Sequence, residues 1–280
     1  MKILICGDVV GKSGRTALSN YLPNLRRQLE LDFVVVNGEN AAHGFGITEK
    51  ICQTFIKLGV DAITTGNHVW DQRQILNYID KQPRLLRPLN FPVETPGRGF
   101  GVFKTMRGQK ILVINLLGQL FMGKCSDPFL AIEDLLKKFK LGRDVSAIIV
   151  DFHGEATSEK QALAQSLDGR VSIVVGTHTH VPTADHQILK KGCGFQSDIG
   201  MTGDYDSIIG MKKAEAINRF KNNISGPLTN KGLRKRLEPA DGEATLCGVF
   251  FELNENSGST AKILPIRVGG RLTQTIAPSE

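Results

Sequence analysis

The sequence predicts an α/β fold in which helices cover two β-sheets, and three observations lead to it. Short apolar runs rich in β-branched residues alternate with amphipathic stretches up to about Thr183, as expected for buried strands joined by helices. Beyond Thr183, strand-like runs follow one another with fewer helices between them, which predicts a mixed or antiparallel second sheet. Hydrophobic residues make up 41% of the 280 residues and charged residues 22%, which excludes a disordered or collagen-like chain.

The predicted strands are short and apolar. Their β-branched side chains favour extended backbone and fit a buried sheet. In the first part of the chain they are Lys2–Cys6, Phe33–Val36, Ala62–Thr65, Ile111–Asn115, Ala147–Val150 and Ser172–Val175. In the second part they are Asp185–Leu189, Gly194–Ser197, Thr245–Leu253 and Ala261–Val268.

Amphipathic stretches between these runs predict five helices in the first part of the chain. Thr48–Glu49 and Thr157–Ser158 are suitable N-caps, and Pro128 suits a first helical turn. The helical stretches lie near Gly14–Leu29, Thr48–Leu58, Trp70–Lys81, Pro128–Lys140 and Ser158–Leu167.

Charge and cysteine content indicate which binding partners and which cellular compartment suit the chain. Lys and Arg number 35 against 28 Asp and Glu, a net charge of +7, which is compatible either with anionic partners such as phosphates or nucleic acid or with an ordinary solvated surface. The five cysteines are scattered without a CxxC pair, which argues against a disulfide framework or zinc ribbon and predicts a cytoplasmic location. The first apolar run is too short for a signal peptide, and no stretch reaches the ~18 apolar residues of a membrane span.

Residues 1–280 are predicted to form a single domain, because candidate ligands from Asp8 to His180 must meet at one site and no internal repeat or low-complexity linker is found in the chain. The Pro/Gly-rich stretch Pro88–Gly101 indicates a loop. A basic, partly helical insertion is predicted near residues 200–240, with a helical centre around Met211–Asn222. This insertion is equally compatible with a solvated surface excursion and with a basic flap that approaches a phosphate substrate.

Polar side chains follow five of the predicted strands at the point where each strand ends. Ligands of open α/β sheets collect outside the carboxyl ends of the strands, so these side chains are expected to converge on one site. Taken singly, Asp8 could be an N-cap, Glu39 a turn residue and His153 a satisfied core histidine. The candidate residues are Asp8, Glu39, Asn40, Asn67, His68, His153, His178 and His180.

The mixture of ligand types predicts a pair of transition-metal ions. Carboxylate and carbonyl oxygens suit Mn and Mg, and imidazole suits Zn and Fe, so the combined set indicates Fe, Mn or Zn. Two ions ~3.5–4 Å apart can hold a bridging hydroxide and stabilise both the attacking and the leaving oxygen of phosphoryl transfer. The His178-x-His180 pair is the most specific element, because its side chains share one face of a strand or chelate from a loop.

These motifs resemble those of the calcineurin-like metallophosphoesterase superfamily, and more closely its bacterial YmdB-like branch of 2′,3′-cyclic-nucleotide phosphodiesterases. The resemblance spans Ile5 to Gly210 and implies a four-layer α/β/β/α sandwich with two mixed β-sheets. The motifs that carry it are ICGDVVGKSGR, VNGENAAHGFGIT, TTGNHVWD, DFHGEATSEK, GTHTHVPTAD and DIGMTGDYDSIIG.

The resemblance also implies a role for each candidate residue. His68 would stay off the metals and act as the general acid. Val10 stands where many members of the superfamily have a histidine, so Asn40 is the natural replacement ligand. The implied ligands are Asp8, Glu39, Asn40 and His180 for the first metal, with Glu39 bridging, and Asn67, His153 and His178 for the second.

The activity implied by the resemblance is hydrolysis of 2′,3′-cyclic nucleotides, with 3′,5′-cyclic nucleotides as further candidate substrates. A hydroxide that bridges two divalent metal ions would attack phosphorus in line while His68 protonates the departing ribose oxygen. Iron is the metal expected for this branch, with manganese and zinc as alternatives. A homo-oligomer is compatible with the sequence.

Three other functions compete with this one. A phosphomonoesterase of the same fold would use the same ligands. A metal-binding, RNA-associated regulator with little turnover would suit the positive charge, although no RNA-binding motif occurs and aromatic residues are only 6% of the chain. A P-loop is disfavoured because Gly7 and Gly11 are separated by three residues instead of four.

Overall fold

A computed structural model describes residues 1–224 and 237–276 of the chain. The strands are β1 (Lys2–Cys6), β2 (Asp8–Val9), β3 (Phe33–Asn37), β4 (Ala62–Thr64), β5 (Phe100–Lys104), β6 (Lys110–Leu117), β7 (Ala147–His153), β8 (Ile173–Thr177), β9 (Gln187–Ile188), β10 (Gly194–Gln196), β11 (Met201–Thr202), β12 (Leu246–Leu253) and β13 (Thr260–Val268). The helices are α1 (Gly11–Gln28), α2 (Glu49–Lys57), α3 (Pro128–Leu136), α4 (Thr157–Leu167) and α5 (Lys213–Ile224).

The strands form two mixed sheets and one small ladder. The first sheet has the order β13-β12-β1-β3-β4, in which β1, β3 and β4 run parallel and β12 lies antiparallel to β1. The second sheet has the order β5-β6-β7-β8-β10-β9, with a parallel centre from β6 to β10 and antiparallel strands at both edges. The short strands β2 and β11 pair in parallel beside them.

The two large sheets face each other across a shared apolar core. Successive side chains of a strand point to opposite faces, so Ile3 and Ile5 enter this central core while Leu4 and Cys6 point outward. From the second sheet, Ile149 packs into the same central core. The core therefore holds the carboxyl ends of the strands of both sheets next to each other.

Helices cover the outer face of each sheet. On the first sheet, Leu18 and Leu22 of α1 and Phe55 of α2 are buried against the outward side chains of β1 and β3. On the second sheet, Leu135 of α3 and Leu163 of α4 pack in the same way on β6, β7 and β8. This arrangement confirms the predicted four-layer α/β/β/α sandwich with two mixed β-sheets.

Local sequence signals for helices are confirmed in two places and wrong in two. Thr48 caps α2, with its side chain accepting a hydrogen bond from the backbone of Ile51, and Pro128 begins α3. The α4 cap is Ala156, so the predicted cap at Thr157–Ser158 lies inside the first turn. The predicted helix Trp70–Lys81 is instead two 3₁₀ turns, Arg73–Asn77 and Ile79–Lys81.

The prediction for Trp70–Lys81 is wrong because tertiary contacts hold the start of this segment. Gln72 Nε2 donates a hydrogen bond to the backbone oxygen of Phe45 at 2.8 Å, which ties the segment to the loop after β3. The backbone then bonds at three-residue spacing, as in Ile75 to Gln72 and Tyr78 to Ile75. A periodic apolar pattern does not distinguish this arrangement from an α-helix.

The predicted insertion near residues 200–240 is described only in part. Its helical centre is α5, which begins two residues later than predicted and ends at Ile224. Residues 225–236, which carry Lys231, Arg234, Lys235 and Arg236, lie outside the described residues.

Candidate metal centre

The carboxyl ends of strands from both sheets meet at one place. Asp8 Oδ2 accepts a hydrogen bond from the backbone N–H of His178 at 3.1 Å, which joins the short strand β2 to the loop that follows β8 of the second sheet. The side chains that follow or end these strands there are Asp8, Glu39, Asn40, Asn67, His68, His153, His178 and His180. The structure thus brings the predicted residues to one edge of the sandwich, while their individual roles stay predictions.

Three of these side chains form a compact cluster with metal-ligand geometry. The ligand atoms of Glu39, His153 and His178 all lie within 4.8 Å of one another. His153 Nε2 lies 2.9 Å from Glu39 Oε1 and 3.1 Å from His178 Nδ1. A carboxylate and two imidazoles are a set that divalent transition metals accept.

A chain of hydrogen bonds sets the tautomer of His153. The Thr177 hydroxyl donates to Asp151 Oδ1 at 2.7 Å, so it accepts the proton of His153 Nδ1, which lies 2.8 Å away. Asp151 is fully buried and is held in turn by Asn37 Nδ2 at 3.0 Å. The neutral ring then presents a lone pair at Nε2 toward the Glu39 carboxylate. Two lone pairs at this separation repel each other unless a proton or a metal ion lies between them.

A second pair of acceptors faces each other at Asn40 and His180. Asn40 Nδ2 donates to the backbone oxygen of Gly44 at 3.0 Å, which turns Oδ1 toward the site. His180 Nδ1 donates to the backbone oxygen of Ile209 at 2.8 Å, so the neutral ring carries its lone pair at Nε2. That Nε2 lies 3.3 Å from Asn40 Oδ1. Both atoms are therefore oriented as ligands.

Buried oxygens without hydrogen bonds are concentrated here. Among the described residues, the buried side-chain oxygens without a hydrogen-bond partner include Asp8 Oδ1, Glu39 Oε1 and Asn67 Oδ1. An unsatisfied buried acceptor costs about 1–3 kcal/mol. Divalent cations would satisfy all three oxygens, so the residues present fit the two metal ions that the sequence predicts.

Electrostatics at the site favour cations, and the two clustered histidines differ in charge. Burial acts to lower the pKa of His153, but Glu39 outweighs it and raises this pKa to about 9, so without metal its Nε2 carries a proton that a metal ion would displace. Burial, and then the charge of His153, lower the pKa of His178 to about 3, so its ring is neutral at pH 7. Burial raises the pKa of Asp8 to about 6, which leaves it mostly ionised at pH 7. Burial also acts to raise the pKa of Glu39, but His153 outweighs it and lowers this pKa to about 2. The site thus offers two carboxylates at neutral pH.

His68 lies beside the cluster instead of inside it. Its backbone N–H donates to Glu39 Oε2 at 3.1 Å, whereas its ring Nδ1 lies 3.3 Å from Asp71 Oδ2. Phe45 packs edge-on against the ring, with the centroids 5.0 Å apart. The ring is therefore oriented by a carboxylate and an aromatic side chain, and it is partly exposed.

Gly66 is the glycine most closely packed against the cluster. A Cβ at this position would lie 2.2 Å from His153 Cδ2 and 2.3 Å from Glu39 Oε2. No other residue fits unless both ligands move. The structure thus gives a steric reason for the absence of a side chain at this position, next to the candidate ligand Asn67.

We expect Gly66→Ala to lower the metal affinity by ~10–100-fold, which is the typical loss when residues that orient metal ligands are changed. Metal titration followed by calorimetry measures this. Gly154→Ala is the matched control, because a Cβ there would meet its nearest atom at 3.5 Å, an ordinary contact. Equal metal affinity in the two variants would contradict the prediction.

Comparison with known proteins identifies the family. The YmdB-like protein family model matches residues 4–266. The chain belongs to this family. It is 46% identical over 263 residues to the 2′,3′-cyclic-nucleotide 2′-phosphodiesterase of Bacillus subtilis (strain 168), which covers 94% of this chain and 95% of that protein. The resemblance inferred from the motifs is therefore confirmed.

Two crystal structures share the fold of this YmdB-like chain. One is a hypothetical protein from Thermus thermophilus, with a TM-score of 0.86 and 37% identity, covering 97% of this chain and all of that one. The other is a novel phosphatase from Mycoplasma pneumoniae, also with a TM-score of 0.86 and 37% identity, covering 96% of this chain and 93% of that one. Within the described residues, no helix is both long and apolar enough to cross a membrane.

Sequence reasoning missed a buried ion pair that supports the two-histidine loop. His178 and His180 both have positive φ, of 103° and 66°, which is uncommon for residues with a side chain. Asp198 Oδ2 accepts a hydrogen bond from the backbone N–H of Thr179, between them, at 2.9 Å. The same oxygen accepts from Lys160 Nζ at 2.9 Å, and both side chains of this pair are almost fully buried.

Both members of the ion pair lie in segments that already carry the resemblance, DFHGEATSEK and DIGMTGDYDSIIG. Their pairing has no local signal, because 38 residues separate them in the chain. The same holds for Asp151 and Thr177, which orient His153. These residues support the candidate ligands through hydrogen bonds to a ligand ring, to the backbone between two ligands or to each other, so ligand types at strand ends do not point to them.

Proposed function

We propose that this chain is a metal-dependent phosphoric diester hydrolase that acts on 2′,3′-cyclic nucleotides. The observation that carries the proposal is the convergence of ligand atoms at one place: those of Glu39, His153 and His178 lie within 4.8 Å of one another, and Asp8 Oδ1 and Asn67 Oδ1 are buried there without a hydrogen bond. The name of the Bacillus subtilis relative supports the substrate class. Hydrolysis of 3′,5′-cyclic nucleotides is a further candidate activity.

The donor set supports two divalent ions. The first would be held by Asp8, Asn40 and His180, and the second by Asn67, His153 and His178, with Glu39 shared by both. Bound there, the ions would supply a water activated at neutral pH and offset the negative charge of the phosphate. Iron is the metal we propose, with manganese and zinc as the alternatives.

The chain's own residues would orient the ligands and move a proton. Thr177 and Asp151 keep the proton of His153 on Nδ1, away from the ligand atom. His68 is the proposed general acid, because it stands next to the cluster without joining it. Its proton would go to the ribose oxygen that leaves phosphorus, and Asp71 would keep the ring oriented for this transfer.

We also propose that residues 1–280 form one domain and that the protein is cytoplasmic. Support for one domain comes from the candidate ligands, since Glu39 follows β3 of the first sheet, whereas His153 ends β7 and His178 follows β8 of the second. Support for the compartment comes from the cysteines, all five of which carry free thiols.

The test is metal analysis of the purified protein combined with a substrate panel. The panel contains 2′,3′-cyclic nucleotides, 3′,5′-cyclic nucleotides, phosphomonoesters and RNA. We expect about two transition-metal ions per chain and hydrolysis of the 2′,3′-cyclic diesters. Preference for a phosphomonoester would favour the phosphatase alternative, as the description of the Mycoplasma pneumoniae structure suggests. Tight RNA binding without any hydrolysis would favour a regulator.

For His68, we expect His68→Ala to lower turnover by ~10²–10⁴-fold while the metal content stays unchanged, since a general acid contributes about this much. Activity and metal content are measured on the same preparation. His186→Ala serves as the control for loss of a histidine outside the candidate cluster. Loss of metal from His68→Ala would show that this histidine is a ligand and that its assignment as the acid is wrong.

A further inference from the structure

A basic groove lies between helices α1 and α2, next to the candidate metal centre. Its volume is about 470 Å³, which is enough for a nucleotide unit. Ala42 and His43 line the groove, and they follow the candidate ligand Asn40 by two and three residues in the chain. Arg15 donates a hydrogen bond to the backbone oxygen of Ala41 and so fixes the turn that joins the groove to the site.

The charge of the groove is positive. Lys12, Arg15 and Lys50 line it, and no Asp or Glu is among its lining residues. Within residues 1–224 and 237–276, neither Lys12 nor Lys50 has a carboxylate oxygen within 4.0 Å. Asp241 and Glu243 border a neighbouring groove on the other side of Lys12, so Lys50 and Arg15 face the less acidic surroundings.

The uncharged lining is suited to a sugar–phosphate chain. The hydroxyl side chains of Thr16, Ser19 and Thr54 add hydrogen-bonding groups along both helices. Phe55 in the lining is fully buried and offers no stacking face, so the exposed imidazole of His43 is the lining ring on which a base could stack. Recognition here would depend on backbone phosphates and ribose hydroxyls more than on the identity of the base.

We propose that the groove binds the backbone of a single-stranded oligoribonucleotide whose terminal 2′,3′-cyclic phosphate occupies the candidate metal centre. A 2′,3′-cyclic phosphate is also the 3′ end that cleavage of RNA leaves, and the preceding phosphates continue away from it as a line of negative charge. Lys12 and Lys50 contact those phosphates. This inference rests on the proposed function and specifies its substrate as the end of an RNA chain in addition to a free nucleotide.

The test compares two substrates in the metal-loaded protein: uridine 2′,3′-cyclic monophosphate and a tri-uridylate that ends in a 2′,3′-cyclic phosphate. We expect the wild type to have the higher kcat/KM on the trinucleotide. In Lys12→Gln/Lys50→Gln, we expect the ratio of the two kcat/KM values to fall roughly tenfold at ~0.1 M salt, since two phosphate contacts are lost. The salt dependence of log kcat/KM for the trinucleotide should weaken by about 0.7 per contact.

The control is Lys138→Gln, which removes an exposed charge beyond α3, far from the groove in the fold. It should leave the ratio and the salt dependence at their wild-type values. A wild type that cleaves the mononucleotide but shows no preference for the trinucleotide would overturn the groove proposal alone. A double variant that keeps the wild-type ratio would overturn it as well. Failure to cleave either substrate would overturn the proposed function, and the groove proposal with it.

Discussion

Replacing Glu39 by glutamine is expected to remove the metal and lower turnover by more than ~10⁴-fold, equivalent to about 5–6 kcal/mol of transition-state stabilisation. Glu39 is fully buried, and its two oxygens face different neighbours: Oε1 lies against His153 Nε2, and Oε2 accepts the backbone N–H of His68. An amide has nearly the same shape but carries no charge and presents an NH₂ group in place of one oxygen. It cannot bridge two cations.

Metal content and turnover should be measured together on this variant. Glu94→Gln is the control, because Glu94 is an exposed loop residue and its loss should alter neither quantity. If Glu39→Gln retained two ions per chain, the bridging role would be excluded. Retention of one ion with loss of activity would show that Glu39 is a ligand of only one of the two metal ions.

The same variant should change the pH dependence of stability in the metal-free protein. Burial alone lowers the pKa of His153, but Glu39 outweighs it and raises this pKa from 6.5 to about 9. The folded state therefore holds a proton that the unfolded chain releases. Its contribution to the free energy of unfolding is complete below pH 6.5 and is lost as the pH rises through 9. Urea denaturation across this range should show the decline in the wild type and much less of it in Glu39→Gln.

The second large effect is expected at the buried ion pair that supports the two-histidine loop. Lys160→Met should lower the free energy of unfolding by about 3–5 kcal/mol, because it leaves the Asp198 carboxylate buried without its partner. Asp198 also holds the backbone of Thr179 between the two candidate ligands His178 and His180. We therefore expect metal affinity to fall as well, by ~10–100-fold.

The double variant Lys160→Met/Asp198→Asn separates charge from shape. It removes both charges, so we expect it to be more stable than Lys160→Met alone, with the difference measured by a double-mutant cycle. Lys138→Met, at an exposed position, should change stability by no more than about 0.5 kcal/mol. If Lys160→Met behaved like this control, the ion pair would not support the loop.

Local patterns were sufficient for most elements of the fold. Buried strands such as β1 and β7 contain continuous apolar runs, at residues 3–6 and 147–150, and the cap at Thr48 is a short-range hydrogen bond, so both leave a pattern in neighbouring residues. Strand β5 was missed, and it begins inside the Pro88–Gly101 stretch that was predicted as a loop. Strands β2 and β11 were missed because each has two residues, too few for any periodicity. Both strands form instead because distant parts of the chain pair with each other, with Met201 opposite Asp8.

The sequence by itself determined the fold class, the family and the candidate ligands of this protein, because strand ends and ligand types are local features. Only the tertiary structure decided how the ligands are oriented. The Nδ1 proton of His153 depends on Thr177, and the loop of His178 depends on Asp198, partners that are distant in the chain. The basic groove between α1 and α2 is of the same kind. Its charges come from two helices that lie apart in the sequence. They are brought together because both pack against the same sheet.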